Sequence, residues 1–241
     1  MADSTARGFR GSRAGCLKLT EGPDDTVAAR LSRLFAPNAE IDPSRHVWQP
    51  RGFGAPDEAR LDRSPRFLGA AQRKLLTDWW LAVPRGANTP NWDIASTATI
   101  DGREGLVLVE AKAHANEIKI DDRSTSSNPR NRGRIIAAIG QANVGLNNAL
   151  PGWAMSADRC YQLCNRFAWS WKIATLGTPV LLVYLGFLND DDMQKEGEPF
   201  ADHESWERRL HEHTKGVIPP AAWEKAIDVE GTRLRAVIRS I

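Results

Sequence analysis

Three ionisable residues interrupt an otherwise apolar stretch of the chain: Asp93, Glu110 and Lys112. Trp92 to Ile100 and Gly105 to Ala113 alternate and cluster apolar residues as strands do, and Asp101-Gly102 between them is a hairpin signal. With the loop taken as Asp101 to Glu104, Ile100 faces Gly105 and Asp93 faces Lys112, about 5 Å apart at Cβ. Glu110 stands two residues from Lys112 and so shares its face, opposite Ala95 and diagonal to Asp93. An odd loop would turn Asp93 to the other side of the sheet. Two carboxylates so placed suit a hard cation such as Mg²⁺, which takes one or two protein carboxylates and keeps waters and phosphate oxygens as its other ligands. Such an ion lowers the pKa of a bound water and neutralises charge at phosphorus. Lys112 beside it can orient that water or stabilise developing negative charge. The alternative is a surface salt-bridge cluster on an edge hairpin.

The rest of the chain must position this patch. The other hairpin face carries Trp92, Ile94, Ala98, Ile100, Val107, Val109 and Ala111 and is expected to pack on helices. Phe67 to Leu81 is predicted as a helix with Leu68, Ala71, Leu75 and Trp79 inward, ended by Pro84 and Gly86. Helices are expected from about Arg134 to Leu150, striped by Ile135, Ile139, Ala142 and Leu146, and from about Ala157 to Leu176. Val180 to Leu188 reads as a buried strand. Further helices are expected near His203 to His213 and Ala221 to Ile227, with a final strand at Arg233 to Ile238. The order helix, strand, strand, helix, helix, strand indicates an α/β sandwich. Residues 1–25 are polar and glycine-bearing and read as a flexible basic arm, with residues 26–241 as a single domain. Its core spans about 66–188, and residues 189–241 form a C-terminal extension. Trp79, Trp92 and Trp171 read as core, whereas Trp48, Trp153 and Trp206 are candidates for exposure.

Composition narrows the function classes. The 241 residues are 41% hydrophobic and 26% charged, which excludes a disordered or low-complexity chain. Three cysteines exclude a disulfide scaffold, and no C-x-x-C supports a zinc ribbon or redox motif. Thirty-two Lys and Arg against thirty Asp and Glu give a net charge of +2, so nucleic-acid binding would need a local patch. The N-terminus lacks the apolar core of a secretory signal. The apolar run Ile173 to Leu188 is too short and too interrupted to span a bilayer. A soluble, cytoplasmic protein is the expectation.

Asp93, followed by Glu110-Ala111-Lys112 at the end of an apolar strand, resembles the PD-(D/E)XK, or restriction-endonuclease-like, nuclease superfamily. The Pro of that pattern has its nearest counterpart in Pro90, three residues from Asp93. The resemblance covers about Phe67 to Leu188 and implies a central mixed β-sheet flanked by helices. It implies metal-dependent hydrolysis of nucleic-acid phosphodiesters, DNA before RNA, with Mg²⁺ or Mn²⁺. Matched residue by residue, Asp93 and Glu110 would be metal ligands and Lys112 the catalytic lysine. Gln141, in the helix after the lysine strand, would be the helper glutamine that some branches carry. The Glu that many members place in the first core helix has only Gln72 in its stead, Glu58 and Asp78 fitting less well. That departure supports the alternative of a catalytically inactive nucleic-acid- or protein-binding module. A homodimer is common among cutters of both strands.

Arg123, Arg130, Arg132 and Arg134 follow the lysine strand and are candidate phosphate contacts, as is the basic arm from Arg7 to Lys18. A second Glu-x-Lys, Glu117-Ile118-Lys119, has no apolar strand before it. His203, His211 and His213 lack zinc-site spacing. No Walker A loop, G-x-S-x-G or G-x-G-x-x-G occurs.

Overall fold

The computed structural model describes residues 8–118 and 122–241. Its strands are β1 (Trp48–Gln49), β2 (Ile94–Ile100), β3 (Arg103–Lys112), β4 (Val180–Gly186), β5 (Ala226–Val229) and β6 (Thr232–Ser240). They form one mixed six-stranded sheet in the order β1-β2-β3-β4-β6-β5. Its helices are α1 (Gly11–Leu19), α2 (Asp24–Phe35), α3 (Ala70–Trp80), α4 (Pro129–Ala149), α5 (Tyr161–Thr175) and α6 (His203–Thr214).

Two apolar layers sandwich the sheet, and strand alternation assigns residues to them. Ile94, Ala98, Ile100, Val107, Val109 and Ala111 pack with residues of α1 and α2. Ala95, Leu106, Leu108, Leu182 and Tyr184 pack with α3, α4, α5 and α6. The α/β architecture of a mixed sheet flanked by helices is therefore as expected. β3, β4 and β6 run parallel, with Lys112 paired to Gly186 and Gly186 to Ser240. Their carboxyl ends thus share one edge of the sheet, where parallel sheets characteristically bind ligands. At that edge Trp206 lies directly over Gly186, where a Cβ would come within 2.7 Å of the indole.

Several expectations need correction. The hairpin loop is two residues long, Asp101 and Gly102, so Ile100 pairs with Arg103. Asp101, at φ 49°, and Gly102, at φ 75°, supply the left-handed conformations of such a tight turn. The shift is two residues, so side-chain faces are unchanged, but extension of the register past Ile94↔Val109 sets Asp93 opposite Glu110, not Lys112. The first 25 residues are not a loose arm from end to end. Gly11–Leu19 is helical, with Cys16, Leu17 and Leu19 buried. Residues 1–7, including Arg7, lie outside the described residues, as does Lys119. In α3 the inward face is Leu76 and Trp80, while Leu75 is 53% exposed and Ala71 is exposed. Leu68 is buried but precedes the helix, so it misled the phase. Ala221 to Ile227 is not a helix: a single turn at Pro220–Ala222 leads into β5. Residues 189–241 are no appendage, because β6 pairs with β4 inside the sheet. Trp48, Trp153 and Trp206 are buried. Among the described residues no helix is long and apolar enough to cross a membrane.

Candidate active site

Asp93 immediately precedes β2, and its carboxylate reaches across the hairpin, Oδ2 accepting from the Ala111 amide at 2.7 Å. Glu110 points from β3 into the helix-covered layer and is buried. Lys112 Nζ donates to Glu110 Oε1. Arg166 Nε on α5 donates to Glu110 Oε2 at 2.6 Å. The Arg166 guanidinium lies 4.8 Å from the centroid of the Trp92 ring, which draws Trp92 to this side of the sheet, away from the face its position suggests. Lys112 Nζ also donates to Gln162 Oε1 at 2.9 Å. The three residues singled out in the sequence are thus assembled, together with two from α5 that the sequence reading missed.

Local capping explains why α5 presents Gln162 here. Asp122 Oδ2 accepts from the Gln162 amide at 2.7 Å, and the Asp122 carbonyl accepts from the Tyr161 amide at 3.1 Å. The side chain and the carbonyl of Asp122 thereby satisfy one amide each in the first turn, and its carboxylate complements the positive end of the helix. Arg166 follows one turn later, on the same side of the helix.

The electrostatics follow from burial and neighbours. Burial and then the Glu110 carboxylate raise the Asp93 pKa to about 7, against the opposing pull of Lys112 and Arg166. Burial would also raise Glu110, but Arg166 and Lys112 outweigh it and hold Glu110 below the ordinary carboxylate range. Burial would lower Lys112, yet Glu110 and Asp93 keep it above its ordinary value, so it is a cation. Burial, then the charges of Lys112, Arg209 and Arg159, lower His213 to about 4, leaving a neutral imidazole.

A cleft of about 570 Å³ opens at this edge, lined by Lys112, Gln162, Arg166, Tyr184 and His213, with Arg123 at its margin. The candidate phosphate contacts divide here. Arg123 is exposed in the cleft wall. Arg130, Arg132 and Arg134 are exposed on the first turns of α4 and do not line it, and Arg132 pairs with Asp158 at 3.0 Å. Gln141 does not join the cluster. It is exposed on α4 and accepts from Trp79 Nε1 at 2.6 Å; the glutamine that meets Lys112 is Gln162, one helix later. Gln72 caps its own helix at Gly69 and donates to Thr178 Oγ1 at 3.1 Å, beside the start of β4 at the opposite edge. Glu58 is nearer, since its Oε2 accepts from Asn91 at 3.1 Å, but Arg13 occupies its other oxygen. α1 closes the back of the site. Ser12 donates to Glu117 at 3.0 Å, and the buried Cys16 thiol is pushed well up by burial and then by Asp93 and Glu110.

The donor set suits a hard cation in a limited way. Among the described residues no three His, Cys, Asp or Glu side chains converge as a metal cage. Mg²⁺ needs no such cage, because one or two carboxylates with water and phosphate oxygens suffice. After burial, repulsion from Glu110 is the next cause that raises Asp93, and a divalent ion between the two carboxylates would relieve that part. Comparison with family models, curated proteins and solved structures finds no match.

Proposed function

We propose that the chain is a metal-dependent nuclease that hydrolyses phosphodiester bonds of nucleic acid, with DNA the favoured substrate. The observation that carries this reading is the meeting of Asp93, Glu110 and Lys112 at the carboxyl edge of the sheet, beside an open cleft. Asp93 and Glu110 would hold one Mg²⁺ or Mn²⁺. The ion, when bound, supplies a water of lowered pKa and neutralises charge at phosphorus. Lys112, fixed between Glu110 and Gln162, keeps a third N–H for the attacking water or a phosphate oxygen. Arg166 keeps Glu110 ionised and in place, so it acts through Glu110. Arg123 and the arginines at the start of α4 would draw the phosphate backbone to the edge of the cleft.

A second reading, a nuclease-like fold that binds without cutting, is favoured by one observation. Both oxygens of Glu110 already have cationic partners, Lys112 and Arg166, so its charge is satisfied without an ion. Mn²⁺ binding followed by electron paramagnetic resonance separates the two. The nuclease reading expects one bound ion per chain, lost in Asp93→Asn and in Glu110→Gln. Absence of bound Mn²⁺, together with salt-sensitive DNA affinity that survives EDTA, would establish the binding module instead.

A further inference from the structure

The walls of the cleft beside Lys112 are poorly suited to a chain of phosphates. Lys112 is engaged by Glu110 and Gln162, and Arg166 by Glu110 and Asn165, the latter at 2.8 Å. Two further acids, Glu117 and Asp122, stand in the same walls. Arg123 adds one exposed cation, next in the chain to Asp122. Of the aromatic residues in the lining, Tyr161 is half-buried and offers its ring to the cleft, while Tyr184 and Trp206 are buried behind it. Tyr184 is 3% exposed and His213 is 9% exposed. The Tyr184 hydroxyl and His213 Nδ1 have no hydrogen-bond partner among the described residues. Buried polar atoms in that condition are costly, and partners from a bound ligand would satisfy them. The volume, about 570 Å³, falls in the roughly 300–1,000 Å³ range of small-ligand sites.

Resting on the nucleic-acid reading above, we infer that this cleft receives one unpaired nucleobase, so that the substrate is single-stranded or locally unpaired nucleic acid. A base has the required character: two π-faces to stack on an aromatic wall and an edge of donors and acceptors. Tyr161 is half-buried and lines both this cleft and the neighbouring groove of Pro84–Pro90 and Ser124–Ser127, so it is the natural stacking platform. Tyr184 and His213 meet the polar edge of the base. The sugar–phosphate chain passes outside, along Arg123, which sets the neighbouring phosphodiester beside Lys112.

The test is binding in EDTA, where nothing is cut. Oligonucleotides carrying one fluorescent purine analogue are titrated with the full chain, as a single strand and as a duplex of equal length. The single strand is expected to bind roughly tenfold or more tightly, with quenching of the analogue as it stacks. Tyr161→Ala should weaken single-strand binding roughly 5- to 140-fold and abolish the quenching. Tyr184→Phe keeps the ring and the fold, so a changed preference among bases would report the hydroxyl alone. Equal affinity for duplex and single strand, or an unquenched analogue, would overturn the inference. Cleavage is scored separately. Single-strand binding without cleavage keeps this inference and removes the nuclease reading. Metal-dependent cutting with no preference for unpaired strands does the reverse.

Discussion

Replacing Asp93 with Asn should stabilise the chain at alkaline pH while removing its capacity to hold an ion. Folded, Asp93 keeps its proton to about pH 7, because burial and the Glu110 carboxylate oppose its ionisation, whereas the unshifted value is 3.8. Between these values the folded state binds more protons than the unfolded state. Stability contributed by this group therefore falls as pH rises from about 4 to about 7, and stays low above that. At about 1.36 kcal/mol per pKa unit the full shift corresponds to about 4 kcal/mol. Asp93 is partly exposed, so screening reduces the effect, and a difference of about 1–3 kcal/mol between pH 5 and pH 8 is expected. Asn keeps an acceptor for the Ala111 amide but never ionises, so Asp93→Asn should gain on wild type by that amount as the pH is raised. Urea unfolding of both chains in EDTA at pH 5 and pH 8 measures it, with titrating groups distant from Asp93 cancelling in the difference. Adding Mg²⁺ at about 100 times its dissociation constant should then restore about 2.7 kcal/mol to wild type at pH 8 and nothing to the variant. A wild type-to-variant difference that does not change with pH would refute the paired-carboxylate account of Asp93.

Three further outcomes follow from the same geometry. Arg166→Ala leaves Glu110 buried with one cation fewer and should cost about 3–5 kcal/mol, read as a lowered urea midpoint; a cost under about 1 kcal/mol would mean that Lys112 alone suffices. Gln162→Leu frees the Lys112 ammonium and should slow metal-dependent cleavage on the order of 100-fold while leaving Mn²⁺ affinity unchanged; loss of both together would place Gln162 in the metal site instead. His213, lowered to about 4, contributes stability that is present above pH 6.5 and lost as pH falls through about 4. His213→Gln should remove about 2–3 kcal/mol of that acid dependence in unfolding measured from pH 7 to pH 4.

Asp93, Glu110 and Lys112 were legible because strand parity is robust. The loop is two residues shorter than the sequence suggests, yet a shift of two keeps every side chain on its face. The stripe of Ile135, Ile139, Ala142 and Leu146 on α4 was legible for a similar reason, since a helix with one buried face writes a clear period. α5 also reads as a helix, with Cys160, Cys164, Phe167 and Trp171 on one stripe, but it is buried on nearly all sides, so its apolar pattern does not single out the face that meets the site. That hid Gln162 and Arg166 and led to Gln141, a glutamine on the preceding helix whose partner is Trp79. One signal was present: Arg166 stands inside Leu163 to Trp171, an apolar stretch in which a buried guanidinium requires an acid, and Glu110 is that acid. α1 was obscured by its glycines. Gly15 packs so closely on Phe187 that a Cβ would come within 2.5 Å of the ring, so a residue that reads as loose is a point of tight contact.

The measurement that most directly tests the central claim is cleavage of supercoiled plasmid and single-stranded circles in Mg²⁺, Mn²⁺ or EDTA, with wild type and Lys112→Ala compared after both are shown to melt cooperatively. Cutting by wild type in Mg²⁺ or Mn²⁺, absent in EDTA and lost in Lys112→Ala, is the predicted result. Equal cutting by the two chains, or none by wild type with either ion on either substrate, would contradict a hydrolytic centre built on Asp93, Glu110 and Lys112.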